Sequence, residues 1–211
     1  MRMTVRSTAA VVTIGAVAAA AGCGGGSGGA GGGVAPVIDP GVAAAAEGAG
    51  CRVASYPPAQ GPVAADGDGA AQPVPPVQGP HREWWADWGV YDVAVPETYL
   101  IHNMSHGGIV VRVGPGVRAN ARRSLVDAWR ADPDLVLVEP GGAGVPGGGL
   151  VVTTWLRAMR CPSVTPAAVT AVAAFRDAFR GHGLHPQAGN YAGPEPAPAD
   201  LPDPTIAEPG I

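Results

Sequence analysis

Residues 98–138, TYLIHNMSHGGIVVRVGPGVRANARRSLVDAWRADPDLVLV, decide the fold. Ile109-Val110-Val111-Arg112-Val113 is β-branched and bounded by Gly108 and Gly114, which predicts a strand. Thr98 to Ile101 predicts a shorter strand before it, with His102 to Gly108 as the turn between the two. In Ala119 to Ala131, the residues Ala121, Leu125, Ala128 and Trp129 recur at helical spacing, and Asp132-Pro133-Asp134 closes the helix. Leu135 to Val138 reads as the next strand.

Working outward, Gly141 to Gly149 holds six glycines and reads as a loop. Leu150 to Leu156 predicts a strand. Thr165-Pro166 has the chemistry of a helix N-cap and first position. Val169, Val172, Phe175 and Phe179 then line one face, and Gly181 ends the helix. The order strand, strand, helix, strand, strand, helix predicts an α+β domain, a small and mostly antiparallel sheet with two helices packed on one face. Upstream, residues 51–80 are irregular, because their prolines remove backbone donors and fix φ. This Pro-rich arm leads into Trp84, Trp85, Trp88 and Tyr91, which are apolar enough to dock on the core. The domain is expected over residues 51–192, followed by a disordered Pro-rich, acidic tail over 193–211.

The start of the chain reads as a processing segment. Arg2 and Arg6 precede the uncharged, small and apolar run Thr8 to Ala21, the pattern of a signal peptide over residues 1–22. Ala20-Ala21-Gly22-Cys23 resembles a lipobox, with Ala20 where Leu is usual. Cys23 is then the lipidated (palmitate-bearing) first residue of a lipoprotein on the extracytoplasmic face of a cell membrane. The alternative is plain secretion with a chance cysteine. Residues 23–50, rich in Gly and Ala, read as a flexible tether.

All 13 basic residues are Arg, and there is no Lys. Removing Arg2 and Arg6 leaves 11 against 17 acidic residues, so the processed chain carries a charge near −6. That balance, without a basic run, argues against a nucleic-acid partner. The membrane, through the lipid, is the partner the sequence names, and it names no protein partner. No apolar run after residue 23 is long enough to cross a bilayer. With Cys23 used for the lipid, Cys51 and Cys161 form an even pair in an oxidising compartment, which predicts a disulfide over two free thiols.

The chain lacks a lysine to complete a phosphate loop and has no CxxC redox pair. The residues that stand out are His81, His102 and His106. Imidazoles suit copper, zinc or iron, and Met104 between them would add a soft donor favouring copper over zinc. These histidines, with Met104, are candidate metal ligands. The competing reading is that they bond turn backbone and pack on the tryptophans. His182 and His185, after the last helix, read as capping or solvent-exposed.

Several segments together carry a resemblance. They are Pro75-Pro76-Val77-Gln78-Gly79-Pro80-His81, Trp88-Gly89-Val90-Tyr91, His102-Asn103-Met104-Ser105-His106-Gly107-Gly108, Thr153-Thr154-Trp155-Leu156, and the Ala-Phe-Arg-rich last helix. Across roughly residues 51–185 the chain resembles the bacterial family of domain-of-unknown-function 3105 proteins. The resemblance implies an exported or membrane-attached protein and no particular activity. It places Gly79, Pro80, His81, His102, Asn103, His106, Gly107 and Gly108 at signature positions. Two departures matter: Ser105 stands where the family usually has Glu, and Val77-Gln78 where it has Thr-Ser. Losing that carboxylate removes the obvious general base or oxygen ligand. The expected function is therefore a non-enzymatic, lipid-anchored extracytoplasmic domain with a metal or small-ligand site at the histidines. The alternatives are a metal-dependent enzyme using the same histidines, and a purely structural or partner-binding envelope protein.

Overall fold

In the computed structural model, which describes residues 34–59 and 74–184, Ile109–Val113 lies inside a six-stranded sheet. The expected leader, Cys23, the glycine tract, His185 and the tail from residue 193 lie outside the described residues. The elements are α1 (Pro40–Gly48), β1 (Arg52–Ser55), β2 (Gly89–Val90), α2 (Glu97–Ser105), β3 (Ile109–Val113), α3 (Ala119–Ala131), β4 (Val136–Pro140), β5 (Leu150–Thr154), β6 (Arg157–Cys161) and α4 (Pro166–Phe179). The sheet runs β1-β6-β5-β3-β4-β2.

The fold is α+β, but the sheet is mixed rather than mostly antiparallel. β1 with β6, β6 with β5 and β5 with β3 are antiparallel. β3 with β4, and β4 with β2, are parallel. The cause lies in the decisive stretch itself. A helix between two adjacent strands carries the chain back to the starting edge, so β3-α3-β4 is a parallel crossover unit.

The strand expected over Thr98–Ile101 is instead the first half of α2. Pro96 takes the N-cap position and Glu97 opens the first turn. Every residue from Tyr99 to Ser105 is buried, so the helix has no polar face and leaves no amphipathic period to read. The strand expected over Leu150–Leu156 ends early and turns at Trp155-Leu156 into β6. Leu156 adopts φ 62°, a conformation that L residues take at some cost. Tertiary bonds hold it there: Leu156 N donates to Val77 O, and Leu156 O accepts from Tyr56 N.

Part of the expected tether is also ordered. Asp39 accepts from the amides of Gly41 and Val42, Pro40 starts α1, and Val42 and Ala46 are buried against the core. An Asp-Pro start followed by alanines is a good helix nucleus. α3 and α4 match their expected ranges, and the Thr165 side chain accepts from Ala168 N as the cap requires.

Side-chain alternation divides the core between the two sheet faces. Ile109, Val111, Val113, Val136, Val138, Leu150 and Val152 join α1, α3 and α4 in one cluster. Val110 and Leu137 join α2, Tyr91, Val95 and Trp155 in the other. Among the described residues there are thus four helices in place of the expected two, and α2 belongs to a different cluster from the other three. The Cys51–Cys161 disulfide is present, with α-carbons 4.2 Å apart, tying the start of β1 to the end of β6.

Candidate functional site

The site is built on α2 and on the arm that crosses it. The arm is bonded to the helix along its length. Arg82 N donates to Thr98 O at 3.2 Å. The fully buried Asn103 accepts from Ala86 N at 2.9 Å and donates to Ala86 O at 2.8 Å. Further along, Tyr91 N donates to Val138 O, which makes β2 the edge of the sheet.

Two glycines let the end of α2 close. Gly107 takes φ 83°, and a Cβ there would lie 2.5 Å from the backbone of Gly181. A Cβ on Gly108 would lie 2.4 Å from the Trp88 ring. Gly181 N donates to Gly107 O, so the end of α4 is seated on the end of α2. The His-Gly-Gly motif is therefore a close-packing device.

Because residues 102–105 are helical and His106 is the C-cap, His102 and His106 lie about one turn apart on the same side of α2. Their rings stack with centroids 4.7 Å apart and planes inclined by 20°. Their Nε2 atoms approach to 2.8 Å, a hydrogen bond. His102 Nδ1 lies 2.6 Å from Arg82 O, and since a carbonyl only accepts, that nitrogen carries the hydrogen. In the neutral pair, His102 Nε2 then accepts and His106 Nε2 donates. By the same logic His81 donates from Nδ1 to Gly79 O at 3.0 Å. The His81 ring meets His102 edge-on at 5.1 Å, and Trp85 meets His102 and His106 at 5.5 and 5.2 Å.

The structure thus brings together three of the four residues expected as ligands. Met104 is not with them. Residues two apart on a helix do not share a side, and Met104 is fully buried in the cluster with Leu100, Val110 and Leu137. Among the described residues, no three His, Cys, Asp or Glu side chains are grouped to hold a metal. His182 is exposed, with its amide donating to Phe179 O.

A second constellation sits under the first turn of α2. Arg112 donates to Glu97 and to Thr153 Oγ1, and its Nε lies 3.0 Å from Glu139 Oε1. Glu139 also accepts from Val95 N at 2.7 Å. Burial pushes the Glu139 carboxyl up to about 7, against the pull of Arg112 and the Val95 amide, and Glu97 raises it further. Burial raises Glu97 too, despite Arg112 beside it. The Glu97 side chain is 39% exposed and that of Glu139 only 4%, so Glu139 is the carboxyl that keeps a proton. Sequence reading overlooked this triad. Its signal was a lone Arg inside an otherwise apolar strand.

The family model described as "Protein of unknown function (DUF3105)" matches residues 65–192. No curated protein and no solved structure matches the chain.

Proposed function

This chain belongs to the DUF3105 family, and from that premise we propose that it is a lipid-anchored, non-enzymatic extracytoplasmic domain that binds a transition-metal ion at His102 and His106. The observation that carries the reading is the pair of facing Nε2 atoms, 2.8 Å apart, on a helix whose His102 ring is fixed through Nδ1 by the Arg82 carbonyl. Metal-binding histidines are commonly oriented in this way, by donating the other ring N–H to a carbonyl. His81, held by Gly79 O, is a neighbour that packs against the pair. The non-enzymatic reading rests on Ser105. It is buried and donates to His102 O, so it offers no carboxylate beside the histidines.

The test is metal content. The purified chain should hold close to one copper or zinc ion, which a chelator removes and added metal restores. The His102→Ala/His106→Ala double variant should hold none. A wild-type chain that takes up no metal when it is offered overturns the reading and leaves the histidines as packing and fold signature.

A further inference from the structure

We infer that the ion is Cu(I), held between the Nε2 atoms of His102 and His106. This rests on the metal-binding reading above and narrows it to one ion and two ligands. Each of the two nitrogens is already aimed at the other. Replacing the shared hydrogen by an ion with two bonds of about 2 Å in line needs the nitrogens to part to about 4 Å. His102 is 8% exposed and held by Arg82 O, while His106 is partly exposed at the C-cap of α2, so the parting falls on the His106 ring.

Charge selects the ion. Among the described residues no Asp or Glu joins the two histidines in a group that could hold a metal, while Glu97 and Glu139 are bound to Arg112, and Asp132 to Arg176 and Arg180. Imidazoles bind a metal as uncharged donors, and the rings of His81 and Trp85 pack edge-on against this pair. The cost of taking an ion out of water grows with the square of its charge, so a divalent ion meets about four times the penalty of a monovalent one here. Zinc prefers four ligands in a tetrahedron, and calcium and magnesium prefer oxygen. Cu(I) accepts two nitrogens in line and carries one charge. On binding, His106 moves its hydrogen from Nε2 to Nδ1, so no proton is released and copper is neither oxidised nor reduced.

The test uses Cu(I) under ascorbate, which spares the disulfide, competed against a chromogenic Cu(I) chelator. One Cu(I) should bind per chain and quench Trp85 fluorescence. His106→Gln removes one of the two ligands and should weaken binding by more than about a hundredfold, the most that losing a ligand's outer partner costs. His81→Ala should weaken it less than about tenfold. X-ray absorption of the wild-type copper protein, which needs no variant to fold, should find two nitrogen neighbours. Three or four neighbours, or zinc binding tighter than Cu(I), overturns the copper assignment while metal binding stands. Failure to take up any metal overturns both.

Discussion

Asn103 closes both ends of its amide on the backbone of Ala86, one of several direct bonds that join the arm to α2. Asn103→Ala would leave a buried N–H and a buried C=O without partners, each costing about 1–3 kcal/mol. The variant should lose about 3 kcal/mol in urea unfolding. An unchanged midpoint would show that the arm's other contacts, the Arg82 backbone bonds and the packed tryptophans, hold it without Asn103. At this scale the sequence was informative about identity and poor about role. His102, Asn103, His106, Gly107 and Gly108 stood out because polar and glycine residues interrupt an apolar run. That Met104 turns away while His102 and His106 meet depends on the segment being a helix, and β-prone Thr98 to Ile101 pointed to a strand.

At the scale of elements, α2 is pinned at its start by Glu97, Arg112 and Glu139. One Arg faces two carboxyls, and the folded protein holds a proton on Glu139 that the unfolded chain releases near 4.5. Between pH 4.5 and about 7 the folded state therefore binds more protons than the unfolded one, and stability falls as pH rises. Below that window the stabilisation is fully present. Wild type should lose stability relative to Glu139→Gln by on the order of 1 kcal/mol per pH unit across it. Parallel urea titrations from pH 4.5 to 8 would measure the difference, and two curves that keep a constant gap would refute it. α3 and α4 were legible because each buries one stripe and exposes another. α2 was not, because burial all round erases the stripe.

For the whole molecule, the elements were easier to read than their arrangement. The sequence from β3 to β4 reads as strand, helix, strand, which is a parallel unit, and this makes the sheet mixed in place of mostly antiparallel. The β5–β6 hairpin was hidden because its turn uses Trp155 and Leu156 in place of glycine or asparagine. The proposed anchor belongs to this scale too. Cys23→Ser should release the protein from the membrane fraction or leave the precursor uncleaved. A variant processed normally and still retained there would rule out the lipid.

The Cys51–Cys161 bond also sets a path for force. A pull on the chain ahead of α1 can peel that helix away, but it then meets Cys51 and passes straight to Cys161. The 110-residue separation between them, roughly 380 Å of chain if drawn out, bears no tension while the bond lasts. The His pair and its arm lie inside that closed loop. A domain pulled from that end would therefore keep its His pair slack, and reducing the bond would let load reach it.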